Sequence, residues 1–312
     1  MRGLRLLPGN IEFSFIPYRK IFFVISVLLV FSAIGLYIKN GLNYGIDFKG
    51  GILIEIKTID GPANIKAMRS NLSNLGVGEI GLQEFGAPDE VLIRIQAQEG
   101  GEKAQQLAIG EVKKALGGDI EYRRTEFVGP KISDELFWNG VYAVSAAILA
   151  ILVYIWFRFE WQFGIGAILA LVHDVISTIG VFALFRLEFN LSTVAAILTI
   201  AGYSINDTVV VFDRVRENLR RYKSLPLSDL LNKSINETLA RTIMTSVTTL
   251  LALTSLYVLG GEVISGFSFA MIWGVLVGTY SSICLAVPLL LYLKIERHST
   301  SGASKSEEAA AE

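Results

Sequence analysis

A carboxylate inside an apolar run is the first residue of this sequence that could do chemistry. Residues 193–216 read TVAAILTIAGYSINDTVVVFDRVR, and Asn206 and Asp207 lie within the apolar part of that run. Placing a carboxylate in the hydrocarbon of a membrane costs at least about 2.5 kcal/mol on insertion scales. A residue kept at that cost predicts a use, and the use that suits a carboxylate is to take up and release a proton.

Two further sets of residues fit a proton relay. Thr199, Tyr203 and Asp207 are spaced four apart and form one polar helix face. Arg241 opens the next apolar run, and Thr245 follows one turn later. Burial favours a protonated carboxyl and a nearby guanidinium favours an ionised one, so Asp207 could exchange a proton by moving between the two environments. Two alternatives stay open: Asp207 only joins helices through hydrogen bonds, and Arg241 only anchors its helix at the interface.

Four more residues of apolar runs are candidates for a role. His173 and Asp174 lie near the middle of residues 163–185 and are either relay groups or a pair that satisfies itself together with Ser177 and Thr178. Gly274 and Gly278 have G-x-x-x-G spacing, which allows close contact between helices.

Other chemistries have little support in the sequence. With Cys284 as its one cysteine and only two histidines, the chain cannot build a disulfide framework or a thiolate metal cluster. The stretch from Gly45 to Gly51 lacks the Gly-Lys-Ser/Thr of a phosphate-binding loop, and we expect a tight turn there with no helix starting in it. We therefore predict that the chain is not an enzyme and has no cofactor, the proton gradient being its source of energy.

Composition indicates a membrane protein with several spans. The 312 residues are 52% hydrophobic and 18% charged, mean hydropathy is +0.50 and net charge is −1. Six apolar runs are long enough for helices that cross a bilayer: residues 21–38, 137–157, 163–185, 191–212, 242–259 and 263–292. The last run is too long for one simple crossing, so we expect it to open with an interfacial segment around residues 265–269.

Residues 39–136 are predicted to form a separate small domain with its linkers. Alternating or helical patterns give a strand at 52–58, a helix at 62–76, strands at 79–85 and 91–97, a helix at 102–118 and a strand at 119–128. The order β-α-β-β-α-β is that of a ferredoxin-like α+β sandwich.

The distribution of Lys and Arg predicts the orientation of the chain. Fifteen of these residues lie in the short segments 1–20, 158–162, 213–241 and 294–312, whereas the links 186–190 and 260–262 hold only Arg186. Because basic residues favour the cytoplasmic side, we expect a cytoplasmic N-terminus (1–20), a cytoplasmic tail (294–312) and a cytoplasmic loop (213–241) within the membrane region 137–293. The loop is a topology signal or, alternatively, a surface that grips anionic lipid or a partner. The small domain is then outside, and periplasmic in a bacterium.

Ordered motifs along nearly the whole chain resemble a known family. The stretch GYSINDTVVVFDRVREN (202–218) closely resembles the signature of the SecF family of protein-export membrane subunits. The resemblance also covers LNYGIDFKGG (42–51), EFVGP (126–130), FRFEW (157–161), HDV (173–175), LARTIMTS (239–246), and GF (266–267) with G-x-x-x-G beyond it.

This resemblance implies a fold, a function and partners. The family belongs to the resistance-nodulation-division (RND) superfamily and implies six transmembrane helices with one small periplasmic domain after the first. It implies an inner-membrane protein that pairs with SecD, associates with the SecYEG translocon and with YajC, and uses the proton-motive force to promote export of unfolded proteins. The family's membrane carboxylate falls on Asp207 and its arginine on Arg241. Since the chain starts at Met1 with one six-helix unit, we expect SecD to be a separate chain.

Two other classes of function remain open. One is a proton-coupled exporter of small molecules or lipids from the same superfamily, although a domain of this size is small for a substrate tunnel. The other is a scaffold that holds a translocon without coupling protons.

Overall fold

The computed structural model describes residues 12–118, 120–293 and 295. The start of the predicted N-terminal segment, residues 1–11, and nearly all of the predicted tail 294–312 lie outside the described residues. In chain order the elements are α1 (Arg19–Asn40), β1 (Asn43–Tyr44), α2 (Ile46–Lys49), β2 (Gly51–Thr58), α3 (Ile65–Ser73), β3 (Ile80–Phe85), β4 (Ala87–Ile95), α4 (Glu102–Leu116), β5 (Ile120–Val128), α5 (Pro130–Arg158), α6 (Trp161–Phe185), β6 (Glu188–Phe189), α7 (Leu191–Arg221), α8 (Leu227–Leu259), α9 (Glu262–Ser281), a π-helical turn (Ser282–Ala286) and α10 (Val287–Leu289).

Six helical rods of the described chain are long and apolar enough to cross a membrane, which confirms the number predicted from the sequence. They are α1, α5, α6, α7, α8 and the rod formed by α9, the π-helical turn and α10. At least half of the apolar window of α6, α7 and the last rod is buried, whereas α1, α5 and α8 bury less than a fifth of theirs. The bundle therefore has a central layer of three helices, which carries His173, Asp174 and Asp207, while Arg241 and Thr245 are on α8 outside it.

Residues 213–241, predicted as a polar loop, are mostly helix. The helix α7 continues to Arg221 and α8 begins at Leu227, so only residues 222–226 are not helical. That prediction was wrong because a high density of charge does not by itself indicate a loop. Three apolar residues of the segment, Leu230, Leu231 and Ile235, are spaced for one helix face and are fully buried in the core.

Two other local predictions also need correction. The last span opens with no separate segment at residues 265–269, since α9 is continuous from Glu262. A helix of one turn, α2, does start within Gly45–Gly51, and the chain leaves it through Gly50 and Gly51, both at positive φ (69° and 126°). Only glycine adopts such angles at little cost, which explains the paired glycines.

The α/β domain (residues 51–128) has one antiparallel sheet of four strands in the order β3-β4-β2-β5. Its elements follow each other as β-α-β-β-α-β. The helices α3 and α4 cover one face of the sheet, where Ile52, Ile54, Ile56, Val91 and Ile93 are fully buried. The helix predicted from residue 62 begins later, at Ile65, because Asn64 caps it by accepting a hydrogen bond from the Ala67 amide at 3.1 Å.

Three contacts attach this domain and the segment before it (residues 43–49) to the start of α7 and to the strand that precedes α7. The two-residue strands β1 and β6 pair in parallel, with Asn43 opposite Glu188. Arg94 of the sheet forms an ion pair with Glu188 at 2.5 Å. The Leu191 amide, the first of α7, donates a hydrogen bond to Asp47 Oδ2 at 2.9 Å. The domain and α7 are therefore joined by main-chain pairing, an ion pair and a helix cap.

The opposite end of the bundle gathers the basic segments. Arg158, the last residue of α5, donates two hydrogen bonds to Asp213 of α7 at 2.8 and 2.7 Å. Asn236 of α8 accepts a hydrogen bond from the Phe13 amide at its Oδ1 and donates one from its Nδ2 to the Phe13 carbonyl, each at 2.8 Å. The segment before α1, the α5–α6 link and the α7–α8 connection thus lie at one end, and the α/β domain lies at the other.

Candidate functional site

Asp207 lies in the interior of the bundle. The helix α7 starts with a capping box in which Asn190 and Thr193 bond each other's main chain, so its register is fixed at the domain end. Sixteen residues later, about 24 Å along the helix at 1.5 Å per residue, Asp207 is only 3% exposed. Its Oδ2 has no hydrogen-bond partner among the described residues. A buried carboxylate oxygen without a donor is costly when charged, so Asp207 is suited to bind a proton.

The three residues predicted to form a polar face of α7 differ in burial, from the exposed Thr199 to the buried Asp207. Thr199 is exposed and bonds only the Ala195 carbonyl of its own helix, at 2.8 Å. Tyr203 is half-buried, and its hydroxyl, like Asp207 Oδ2, lacks a partner in the described part of the chain. Asn206 is exposed on another side of α7. Tyr203 and Asp207 therefore share the inward face, while Thr199 and Asn206 lie outside it.

Arg241 is exposed near the start of the membrane part of α8, and its charge acts on Asp207. Within the described ranges the two side chains form no ion pair, so the structure brings them into electrostatic range without direct contact. The next residue, Thr242, has a buried hydroxyl with no partner in the described structure. Thr245 is exposed and bonds carbonyls of its own helix, at 3.1 Å to Arg241 and 2.9 Å to Thr242.

His173 and Asp174 form the second polar centre, on α6. Asp174 is fully buried, and its Oδ1 lies 2.9 Å from His173 Nδ1. Its Oδ2 accepts hydrogen bonds from Ser204 of α7 at 2.5 Å and from Ser281 of α9 at 2.8 Å. The sequence predicted the bond within the pair, but the two serines were missed. Asp174 therefore joins all three central helices.

Ser177 and Thr178 do not complete this pair as the sequence suggested. Ser177 accepts a hydrogen bond from the Trp273 indole of α9 at 2.9 Å. Thr178 donates to the main-chain carbonyl of Asp174 at 2.8 Å, so it bonds the helix and not the carboxylate.

Further hydroxyl contacts continue from Asp174 toward Asp207. Ser282 opens the π-helical turn, and its hydroxyl lies 3.0 Å from that of Thr208. On the outer side of the central layer, Ser246 of α8 bonds Thr279 of α9 at 2.7 Å. In the sequence these residues carry no signal beyond being small hydroxyls in apolar runs.

Gly274 and Gly278 lie where α9 meets α7. A Cβ added at Gly274 would come under 3.0 Å from side-chain carbons of Ile200, and one at Gly278 would be 3.1 Å from Ser204 Cβ. The two glycines thus let α9 approach α7 closely enough for Ser281 to reach the carboxylate shared with Ser204.

The described residues contain no group of three or more His, Cys, Asp or Glu side chains that could hold a metal ion. The arrangement places two buried acidic centres in the central layer, Asp207 and the His173–Asp174 pair.

Comparisons with known proteins agree with this architecture. The family model described as "Protein export membrane protein SecD/SecF, C-terminal" matches residues 108–296, and the one described as "SecD/SecF GG Motif" matches residues 38–58. The chain is 47% identical to the protein translocase subunit SecF of Cereibacter sphaeroides, over 94% of this chain and 93% of that protein. It is 46% identical to the SecF subunit of Rickettsia rickettsii, over 92% of this chain and 94% of that protein.

Two solved structures of SecDF share the fold. The crystal structure of SecDF from Thermus thermophilus, described as a translocon-associated membrane protein, superposes with a TM-score of 0.84 at 37% identity and covers 93% of this chain. SecDF in its super-membrane-facing form has a TM-score of 0.68 at 36% identity and covers all of this chain. The chain spans 40% and 42% of those two solved chains. From these matches and the six-helix architecture, the chain belongs to the SecD/SecF family of protein-export membrane proteins.

Proposed function

We propose that this chain is a subunit of the Sec protein-export machinery that works with a SecD partner and is driven by the proton-motive force. The observation that carries the proposal is Asp207, a carboxylate buried in the central layer of a membrane bundle with an unpartnered oxygen and the charge of Arg241 acting on it. The relatives are named protein translocase subunits, and the proposal assigns the chain no bond-breaking reaction and no cofactor.

The proposed cycle uses Asp207 as the proton-binding group. Protonated, the side chain is neutral and compatible with its buried position; ionised, it is stabilised by Arg241. One proton that crosses a potential of about 150 mV releases about 3.5 kcal/mol, at about 2.3 kcal/mol per 100 mV. That amount biases a two-state packing of helices by about 300-fold.

The proposed partner is supported by the lengths of the solved relatives. SecDF is a single chain of which this one covers less than half, so a second unit that supplies the remainder is required for the same assembly. We propose that SecD provides it, and that the pair acts at the SecYEG translocon, with YajC as a further partner, to move unfolded proteins.

We further propose that the protein lies in the bacterial inner membrane with the α/β domain in the periplasm. The basic segments meet at the end of the bundle opposite this domain, as the contacts Arg158–Asp213 and Asn236–Phe13 illustrate, and basic ends favour the cytoplasm. The strand order β3-β4-β2-β5 with both helices on one face supports a ferredoxin-like α/β domain.

The decisive experiment compares two changes of carboxylate to amide on the same helix. Asp207→Asn removes the proposed proton carrier. Asp213→Asn is the matched control, because that carboxylate, on the same helix, is half-exposed and paired with Arg158. Export of a secretory protein is measured in membrane vesicles with and without an imposed proton gradient, together with assembly of the complex.

We expect Asp207→Asn to assemble but to lose the gain in export that the gradient produces, and Asp213→Asn to keep it. If an assembled Asp207→Asn protein exports with an undiminished gain, proton coupling through this residue is wrong and a scaffold is favoured. Gentle purification separates the exporter alternative, since a proton-coupled exporter of small molecules would not co-purify with translocon subunits.

A further inference from the structure

A role in joining helices does not explain why the residues at positions 173 and 174 are an imidazole and a carboxylate. Asp174 has no exposed surface. Its Oδ2 accepts hydrogen bonds from Ser204 and Ser281, and its Oδ1 lies within hydrogen-bond distance of His173 Nδ1. An asparagine could satisfy the same three partners, with its carbonyl accepting from both serines and its amide donating to the imidazole in the other tautomer. It would do so without a charge in the membrane, where charged side chains are costly. The carboxylate and imidazole offer one property that the amide lacks, which is the ability to change protonation state.

The surroundings of the pair can accommodate a change of charge. Serine hydroxyls rotate and can donate or accept, and Ser281 already has a second acceptor in the Gly278 carbonyl at 3.1 Å. His173 Nε2 is buried and lacks a hydrogen-bond partner among the described residues, so one ring nitrogen is available to take up a proton. The other nitrogen, Nδ1, is oriented toward the carboxylate at 2.9 Å.

We propose that His173 and Asp174 form a second proton-binding site, in which the imidazole takes up a proton at Nε2 and the carboxylate is its counter-charge. Before uptake the imidazole is neutral, with its proton on Nδ1, and the pair carries one negative charge. After uptake it is an imidazolium carboxylate with no net charge. The proton arrives from water and returns to water, and no other bond is made or broken. This inference rests on the proposed function, because it adds a second proton to the same cycle.

The groups that face the pair from α1 and α9 do not compete with His173 for the proton. From α9, the ring of Tyr280 lies 6.1 Å from the imidazole, and its hydroxyl bonds the Phe22 carbonyl of α1 at 2.8 Å and the Ser26 hydroxyl of α1 at 3.0 Å. Residues 21–38 of α1 contain no Asp, Glu, Lys or Arg. The thiol of Cys284, in the π-helical turn, acts on Tyr280 and ordinarily stays protonated at neutral pH.

Of the helices that remain, α5 and α7, only α7 places a charged residue near the pair, and that residue is Asp207. The helix α5 meets α6 at Gly164, more than two turns from His173. From α7, Ser204 bonds the pair directly, and Asp207 follows it by three residues. The charge nearest along that helix is therefore the proposed proton carrier itself.

Ser204 is the route by which the second site affects the first. A carboxylate with a net negative charge is a stronger acceptor for the Ser204 hydroxyl than one neutralised by an adjacent imidazolium. Proton uptake at His173 therefore weakens the bond that holds α7 to α6 one turn away from Asp207. Asp174 acts on proton transfer as a positioning residue as well as a counter-charge.

Direct measurement of the imidazole tests the site. The chain has only two histidines, so a His298→Asn background leaves His173 as the one histidine of the chain. The full chain, with ¹⁵N-labelled histidine and a tag free of histidine, is reconstituted in lipid nanodiscs, and the ring nitrogen shifts are followed by NMR as pH changes. We expect the shifts to move from those of a neutral imidazole to those of an imidazolium as the pH is lowered over the range in which the protein stays folded. An imidazole that keeps one charge state over that whole range overturns the proposal, and this measurement needs no variant at position 174.

The export assay then asks whether the second proton matters to the cycle. Asp174→Asn keeps acceptors for both serines. Ser177→Ala is the matched control, because Ser177 lies one turn away on α6 and, among the described residues, its side chain bonds only Trp273. For an assembled Asp174→Asn protein we expect the gain in export from a proton gradient to be lost or clearly reduced. Ser177→Ala should retain the gain.

The outcomes separate this inference from the proposed function. If Asp207→Asn loses the gain while Asp174→Asn keeps it, the second site is wrong and proton coupling stands. If both variants keep it, the proposed function fails as well. If Asp174→Asn does not assemble, His173→Gln replaces it in the same assay, and an unchanged gain in that variant overturns the second site.

Discussion

Replacing Gly274 by alanine should destabilise the protein through one identifiable contact. In the structure the added Cβ would come under 3.0 Å from the Cγ1, Cδ1 and Cγ2 atoms of Ile200. Ile200 is 1% exposed and branched at Cβ, so it has little room to move aside. The substitution therefore forces α9 away from α7 at the point where the two helices support the serines bonded to Asp174.

The magnitude follows from two opposing effects. Overpacking of a tight core costs about 1–3 kcal/mol, and three short contacts place Gly274→Ala at the upper end. Alanine recovers up to about 1 kcal/mol of helix propensity relative to glycine, which leaves a net loss of about 2 kcal/mol. For Gly278→Ala the nearest contact is Ser204 Cβ at 3.1 Å, so the two effects should nearly cancel. Gly202→Ala, with no atom within 4 Å, keeps the propensity gain alone.

Equilibrium unfolding in mixed micelles, with SDS as the denaturant, measures the free energies of the three variants. We expect the stability order Gly202→Ala, then Gly278→Ala, then Gly274→Ala, with about 3 kcal/mol between the extremes. The change Ile200→Ala should rescue Gly274→Ala in a double-mutant cycle, because the new methyl group then fills the space that the isoleucine leaves. The reasoning is refuted if Gly274→Ala is as stable as Gly202→Ala, or if the cycle shows additive effects.

Two further predictions concern the α/β domain and its attachment. Asp47→Ala removes the acceptor for the Leu191 amide, so we expect the free energy of unfolding to fall by about 1 kcal/mol and the Leu191 amide to exchange faster. Asp47→Asn keeps an acceptor, and its stability should fall less. Equal exchange at Leu191 in both variants and in the wild type would contradict this role of the cap. The hydrogen bond from Lys57, at 3.2 Å, lowers the pKa of Asp89. Its contribution to stability is therefore complete above about pH 4, the ordinary value, and is lost as pH falls through the lowered one. Thermal unfolding between pH 6 and pH 3 should show a smaller acid-induced loss in Lys57→Met than in wild type, with the exposed Lys66→Met as control; a Lys57→Met curve that parallels wild type would count against the pairing.

The large features of the fold follow from the sequence because they depend on sums over many residues. Six apolar runs gave six helices, since each run independently satisfies the length and hydropathy that a bilayer requires. The ends of the helices were harder to predict from the sequence. The charges of residues 213–241 suggested a loop, although the buried Leu230, Leu231 and Ile235 hold that segment as helix in a core formed by distant parts of the chain.

The residues of the candidate site also fall into two groups, those that the sequence identifies and those that it does not. Asp207, His173 and Asp174 were identifiable because each is costly inside an apolar run. Ser204 and Ser281 were not, since a serine hydroxyl can bond its own helix at little cost and carries no signal of a distant partner. The sequence could not predict the separation of Asp207 and Arg241, because that separation depends on helix packing and not on spacing along either helix.

The hydrogen bond between Asp47 and the Leu191 amide also has a consequence for biosynthesis. Its two partners are 144 positions apart, so the ribosome has completed the α/β domain, α5 and α6 before the acceptor meets its donor. Because domains fold as units and the N-terminal parts of a chain fold first, the sheet must reach its native form while still unattached. The attachment then forms only as the nascent α7 enters the membrane, so the cap closes when the helix that carries Asp207 has been inserted.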